Sequence, residues 1–533
     1  MARVVSVALL GPVGVAAVGI AAVGAAAIWG PYWLIPAVVL LALGATGVHD
    51  LVQRRHTVLR NYPVIGHLRY LMEALRPEIQ QYFIERDYDG RPYDRERRSI
   101  IYERAKGIHG EQAFGTERDI EEIGYEHLVH SVVPAPEPDQ PPRVTIGGPD
   151  CRRPYSMALL NVSAMSFGAL SANAIRAIGA GAAAGGFAQD TGEGGLTPYH
   201  LDAGADLVWE IGSGYFGTRT ADGRFDPVQF ADQSSHERIK CVSLKLSQGA
   251  KPGVGGVLPA AKVSEEIARY RGVPAHQKCV SPPAHSVFST PRELAQFIGT
   301  MRELADGKPI GIKLCVGSRR EMLALCKAMI AEQITPDFIV VDGAEGGTAA
   351  APLEYEDHVG MPLTEGLITV HNALVGAGLR DRVTIGASGK VAGGADIVKR
   401  LVQGADYTNA ARAMMMAAGC IQAQRCHTNT CPSGVATQDP HRARALHVGD
   451  KTQRVRRYQE ATVAQAVQIM ATMGVTHPAQ LHPAMLFKRI DATGDRSYAE
   501  LYEWLAPGQL LDDPPASWEA DWAAADPDTF RPA

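Results

Sequence analysis

The chain has 533 residues, which at about 150 residues per domain sets a prior of roughly three to four structural units and excludes a small stapled scaffold. Its 52 Lys plus Arg against 57 Asp plus Glu leave a formal charge of -5, without the basic excess that phosphate-backbone binding uses, so no nucleic-acid partner is expected. Apolar residues at 46% and charged residues at 20% exclude a disordered chain. Eight cysteines are too sparse for a disulfide framework, yet three fall within twelve residues, which points to a metal site in a reducing compartment.

From Val4 to Val48 there is no Asp, Glu, Lys or Arg. A single span needs about 20 apolar residues, so the stretch predicts a transmembrane helical hairpin over residues 1–50. Gly30-Pro31-Tyr32-Trp33 divides it with turn formers and interfacial aromatics. Arg3 lies at one end and Arg54, Arg55 and Arg60 at the other, which places both ends, and the catalytic domain, on the cytoplasmic side. The rival reading is a signal peptide with its cleavage zone in Ala21 to Ala27.

Residues 51–150 read as a small polar N-terminal subdomain and linker, ending in Pro134-Ala135-Pro136-Glu137-Pro138. Over residues 151–450, short apolar runs alternate with helical stretches, the pattern of repeated β and α units. Candidate strands are Leu159 to Ala164, Gly186 to Asp190, Asp206 to Gly212, Cys241 to Leu246, Ile310 to Cys315, Phe338 to Asp342, Val383 to Ala387 and Tyr407 to Ala411. Eight strands at this spacing predict an α/β fold, a (β/α)8 TIM barrel, with an open doubly wound sheet as the alternative. Residues 451–533 read as a C-terminal helical extension and an acidic tail carrying Trp518 and Trp522.

Barrel active sites are built at the carboxyl ends of strands, and here those ends are rich in Gly and polar residues. Glycine-rich turns after the last two strands, with Ser388, Gly389, Lys390, Gly393 and Gly394, then Ala411 and Arg412, suit a phosphorylated cofactor. Cys420, Cys426 and Cys431 stand at C-x5-C-x4-C, with Pro432 after the last. Three thiolates on a short segment can hold an iron–sulfur cluster; zinc on three Cys plus His427 is the competitor, although structural zinc usually uses shorter gaps.

The strings Ser163 to Ser171 (SAMSFGALS), Thr191 to Gly195 (TGEGG), Gln248 to Gly253 (QGAKPG), Ser281-Pro282-Pro283, Gly346-Gly347-Thr348 and Cys426 to Gln438 (CHTNTCPSGVATQ) resemble the FMN-binding synthase domain of glutamate synthase large subunits, over roughly residues 150 to 440. The resemblance implies an FMN-containing barrel with a 3Fe–4S cluster that makes glutamate from 2-oxoglutarate and ammonia. The whole chain resembles the short, membrane-anchored glutamate synthase-related proteins. Ala164, Met165, Ser166, Gly346 and Gly347 then join the turns named above as cofactor contacts. Lys251 and Gln248 match substrate-pocket positions, and Glu193 would orient ammonia or the imine, or relay a proton. Lys245 and Lys313, ending adjacent strands, would lie near flavin N1 and O2, where charge accumulates on reduction.

Departures from the family pattern qualify the substrate. The large subunits begin with an amidotransferase domain whose nucleophile is an N-terminal cysteine, whereas the first cysteine here is Cys151. No G-x-G-x-x-G nicotinamide motif follows a strand. The family string QGAKPGEGGQLPG reads QGAKPGVGGVLPA here, so Val254 and Val257 replace Glu and Gln. An external electron donor (ferredoxin, quinol or a reductase subunit) is implied. Two alternatives stand beside glutamate synthesis: an FMN oxidoreductase for a different amine or 2-oxo acid, and a membrane-linked electron-transfer flavoprotein subunit. His285 reads equally as a satisfied loop histidine, and Glu345 as a residue that fixes the Gly-rich loop.

Overall fold

A computed structural model describes residues 2–108, 110–111 and 113–531; of residues 2–13 and 29 it describes the backbone only. The chain forms two compact units, one up to Arg95 and one from Glu96 onward.

The first unit is helical. Helix α1 (Ala2–Trp29) and helix α2 (Leu34–Val52) are joined by a 3-10 turn at Pro31–Trp33. Small residues let the two backbones meet: a Cβ on Gly44 would lie 2.7 Å from the Cβ of Ala16. Among the described residues one stretch, Pro31–Val52, is long and apolar enough to cross a membrane, and Gly14–Ile28 is apolar but shorter. One possible span thus lies among the described residues; the first of the two spans expected from the composition falls partly on residues 1–13, whose side chains lie outside them. Helix α3 (Thr57–Asn61) and helix α4 (Gly66–Ile79) follow.

The second unit is the expected closed barrel of eight parallel strands. In chain order they are β1 (Leu160–Val162), β2 (Gln189–Asp190), β3 (Leu207–Ile211), β4 (Ile239–Lys245), β5 (Ile310–Leu314), β6 (Phe338–Asp342), β7 (Thr384–Ser388) and β8 (Tyr407–Ala410), with β8 pairing back onto β1. The sequence reading extends β2 back to Gly186, but Gly186 adopts φ 68° and caps the preceding helix α5 (Ala172–Gly185), so the strand begins at Gln189. Strands buried on both faces read as continuous apolar runs, which is why β3 to β6 stand out in the sequence.

Below the site the barrel is plugged by side chains. Val208, Cys241, Phe338, Val340 and Tyr407 pack with Ile146 and Met157 from an antiparallel hairpin of Arg143–Ile146 and Tyr155–Ala158. Gly311 and Gly386 make room for the two rings, since a Cβ at either would lie 2.4 or 2.5 Å from Phe338 or Tyr407. Polar side chains are thereby left to the opposite, carboxyl end. Helix α6 (Gly394–Val402) follows β7, and the long helix α7 (Val448–Thr472) lies against α5, with Gly181 close under Val455. At the C-terminal end, Trp518 is buried under Arg319, whose guanidinium lies 4.5 Å from its ring.

Candidate active site

The strand order decides which loop ends meet. Because β6, β7, β8 and β1 are consecutive around the barrel, Gly346 and Gly347, Ser388 to Lys390, Ala411 and Arg412, and Ala164 to Ser166 share one arc of the mouth. Ser163 and Ser388 touch across it, Oγ to Oγ at 3.2 Å. Gly389 at φ 153° and Lys390 at φ 51° turn the chain sharply after β7. Arg412 donates through Nη2 to the carbonyl of Glu345 at 2.5 Å, and Gly347 lies so near that a Cβ there would be 2.8 Å from Arg412 Nε. Glu345 Oε2 also accepts from Leu363 N at 3.0 Å, which fixes the loop after β6.

Gly393 and Gly394 stand one turn further on. The carboxylate of Asp396 accepts from Ala392 N at 2.9 Å and Gly393 N at 3.0 Å, capping α6 from within. Gly394 faces α7, where a Cβ would lie 2.6 Å from Ala466 N.

The opposite arc carries the charged residues. Lys313 Nζ bonds Glu210 Oε2 at 3.0 Å, and Lys245 Nζ lies 2.9 Å from Glu193 Oε2 and 3.2 Å from Gln248 Oε1. Burial alone would raise the Glu193 carboxyl, but Lys245 at contact, with Arg271 and Lys251 nearby, holds it below its ordinary value. Glu193 is therefore a carboxylate at neutral pH. Its place depends on two glycines: a Cβ on Gly256 would lie 1.8 Å from Oε1, and one on Gly212 would lie 2.5 Å from Oε2. Gln248 Nε2 donates to Thr348 Oγ1 at 3.2 Å. Lys251 is buried, donates to Ala350 O at 2.7 Å, and burial pulls its ammonium down to about 8. Asp190, behind Glu210, is pushed up by burial and by the neighbouring carboxylate. His285 is pulled down to about 4 by burial and bonds Lys245 O at 2.8 Å and Tyr215 Oη at 3.1 Å, so it is neutral and satisfied.

Two buried cations escape the sequence reading. Arg271, the last residue of the helix Glu265–Arg271, reaches Ser166 Oγ and Phe167 O, both at 3.3 Å, and its buried Nε has no partner among the described residues. Lys262 is fully buried and donates to Ala169 O at 2.6 Å, Cys426 O at 3.2 Å and Ala436 O at 3.3 Å. No motif marks either, because each acts through a position reached only after the loop folds back over the mouth.

Cys420, Cys426 and Cys431 lie on the irregular segment after β8, whose backbone takes positive φ at Gln422, Gln424 and Asn429. Gln422 N points at Cys420 Sγ at 3.4 Å, and Ser433 Oγ lies 3.4 Å from Cys431 Sγ. Burial pushes Cys420 up to about 12. For Cys431, burial is outweighed by the Ser433 hydroxyl and the amides of Ala436, Ser433 and Val435, and the thiol is held below its ordinary value. Among the described residues no three His, Cys, Asp or Glu side chains are set around a single ion.

The fold and site together define a (β/α)8 barrel with buried cations and a carboxylate at the carboxyl ends of its strands. The region described as conserved in glutamate synthase matches residues 146–476, and the chain belongs to this family, whose enzymes are oxidoreductases acting on CH–NH2 donors. It is 36% identical over 485 residues to the glutamate synthase large subunit-like protein YerD of Bacillus subtilis, covering 83% of this chain and 92% of that one. An archaeal glutamate synthase [NADPH] of Methanocaldococcus jannaschii is 33% identical over 317 residues, 59% of this chain and 58% of that enzyme. The chain thus spans little more than half of the archaeal-type relative. Among solved structures, a flavocytochrome b2 double mutant with pyruvate bound gives 14% identity and a TM-score of 0.42 over 87% of this chain and 97% of its own, too weak to add to the strand pairing.

Proposed function

We propose that the chain is an FMN- and iron–sulfur-dependent enzyme that reductively aminates 2-oxoglutarate, or a related 2-oxo acid, with ammonia to give L-glutamate or its analogue. The observation that carries this reading is the charge pattern of the mouth: two buried cations, Lys251 and Arg271, act on the carboxylate of Glu193. A 2-oxo dicarboxylate needs a cation for each carboxylate, and the nitrogen that adds to its carbonyl needs an anionic neighbour once it bears charge. In this reading Lys251 and Arg271 bind the carboxylates, Gln248 orients the carbonyl oxygen, and Glu193 holds the ammonium or iminium and accepts its proton.

The residues present fit FMN on the glycine arc. Ala164, Met165, Ser166, Gly346, Gly347, Ser388, Gly389, Lys390, Ala411 and Arg412 would hold it, with Gly393 and Gly394 forming the helix start behind the phosphate. Lys245 and Lys313 would offset charge on the ring. FMN would supply the reducing equivalents that the imine carbon takes up. Cys420, Cys426 and Cys431 would hold a 3Fe–4S cluster, which would bring in single electrons from an external donor such as ferredoxin, quinol or a reductase subunit. Each thiolate of such a cluster binds a different iron, so the three need not converge on one ion.

Residues 1–50 would anchor the enzyme, with the catalytic unit cytoplasmic; the possible span Pro31–Val52 and the arginines after it support this. A second reading, a different 2-oxo acid, is favoured by Val257, which pairs with Val280 and directly follows Gly256, the residue that lies against Glu193. Purified protein supplied with a chemically reduced one-electron carrier, ammonia and a panel of 2-oxo acids, with its extracted cofactor identified, tests both. Turnover fastest with 2-oxoglutarate supports glutamate synthesis, turnover fastest with a monocarboxylate supports the second reading, and protein without flavin overturns both.

A further inference from the structure

The helix after the possible span carries an apolar stripe of its own. Asp50, buried in the last turn of α2, accepts from Val64 N at 2.9 Å and from His67 Nε2 at 3.0 Å. Gln53 fixes the turn that leaves α2, its Oε1 accepting from Arg55 N and His56 N, both at 2.8 Å. The first turn of α4 is therefore fixed to the end of α2. From there α4 runs to Ile79 and continues through a π turn, Gln80–Ile84.

Leu68, Leu71, Met72, Leu75 and Ile79 recur at i, i+3, i+4, i+7 and i+11, the spacing of one helix face. In a folded core such a face is covered, but here these residues are 38% to 56% exposed, and Phe83 beyond them is 84% exposed. Gly66 is the one buried residue of the helix. The charges beside the stripe are unbalanced: residues 53–84 hold Arg54, Arg55, Arg60, Arg69 and Arg76 against Glu73 and Glu78. Arg69 and Arg76 border the stripe, and Glu73 is already paired with Arg69 at 3.1 Å.

We infer that residues 66–84 form an interfacial helix that lies in the headgroup layer of an anionic membrane, with its apolar stripe toward the acyl chains and its arginines at lipid phosphates. This rests on the reading that Pro31–Val52 spans a bilayer. The occupant follows from continuity and charge. The Asp50 clamp holds the start of α4 at the level where the span ends, and the arginine excess there matches acidic headgroups.

The test uses the full chain in vesicles of phosphatidylcholine, alone or mixed with phosphatidylglycerol, that carry a photoreactive acyl chain, with the labelled peptides mapped by mass spectrometry. Residues 66–84 take label together with 31–52, and their label rises several-fold with phosphatidylglycerol and falls with salt while that of 31–52 is unchanged. The Leu71→Glu/Leu75→Glu double variant loses most of the 66–84 label and keeps that of 31–52. Label on 31–52 with none on 66–84 overturns the inference and leaves the span reading intact. No label on either overturns the span reading first. Crosslinking of 66–84 to a second copy or to another protein segment in place of lipid identifies a protein occupant and overturns the inference.

Discussion

Lys313 on β5 reaches over β4 to Glu210 on β3, Nζ to Oε2 at 3.0 Å, with both side chains nearly excluded from solvent. Alternate strands of such a barrel point into a common layer, which is why residues two strands apart meet. Burial disfavours the ammonium, but Glu210, Asp342 and Asp190 outweigh it and hold Lys313 above its ordinary value. Removing one partner leaves a buried charge unpaired, at a cost of about 3 to 5 kcal/mol. Lys313→Met should therefore lower the denaturant midpoint strongly. The Lys313→Met/Glu210→Gln double variant should recover much of the loss, because no lone charge remains, and a double variant as unstable as the single would show that the pair is not coupled.

Lys251 gives a pH dependence. Its pKa falls from 10.5 to about 8 on burial, so the ammonium is complete below that value and lost above it. If it binds a substrate carboxylate, the affinity for a non-reacting dicarboxylate analogue is flat below pH about 8 and weakens up to about tenfold per pH unit above it. Lys251→Arg keeps its charge and should flatten the profile, whereas Lys251→Met should weaken binding at low pH most. Equilibrium titration of the analogue across this range checks the sign.

The flavin seat is tested at Arg412 rather than at the helix start. Arg412→Ala removes a cation from the glycine arc and should lower flavin retained through purification by about tenfold. Gly394→Asp also loses flavin, but for another reason: its side chain strikes α7 at Ala466, so the loss should come with a lower unfolding midpoint. Arg412→Ala should leave the free energy of unfolding within about 1 kcal/mol of the parent. Full flavin retention in Arg412→Ala would remove this residue from the seat.

The barrel was legible because most strands are apolar runs followed by Gly-rich or polar turns, and because closure of β8 onto β1 brings those ends together in a known order. The limits of that legibility are specific. Gly186 reads as the start of β2 by composition, yet only its left-handed φ shows that it ends a helix. Arg271 and Lys262 fall in a polar helical stretch well past β4, and nothing local shows that this stretch folds back onto Ser166 and the cysteine loop. Residues 65–84 look merely polar when counted with their charged neighbours, because the apolar stripe appears only at a helical period.

The cysteine segment carries the last prediction. Lys262 joins three backbone carbonyls, that of Ala169 beyond the Ser166 loop and those of Cys426 and Ala436 on the cysteine side. A buried ammonium with three such bonds holds the cysteine loop against the loop after β1. Cys426→Ser should lose the iron while keeping most of the flavin, since the proposed flavin contacts are other residues. Lys262→Met keeps all three thiols but frees the loop, so iron should bind and then be lost faster to a chelator, several-fold faster than from the parent. Activity with a reduced one-electron carrier should fall in both variants in proportion to iron. Measured iron and flavin per chain, with the chelation rate, separate the cases. Iron absent from the intact protein would remove the cluster, and unchanged chelation in Lys262→Met would reduce Lys262 to a packing role.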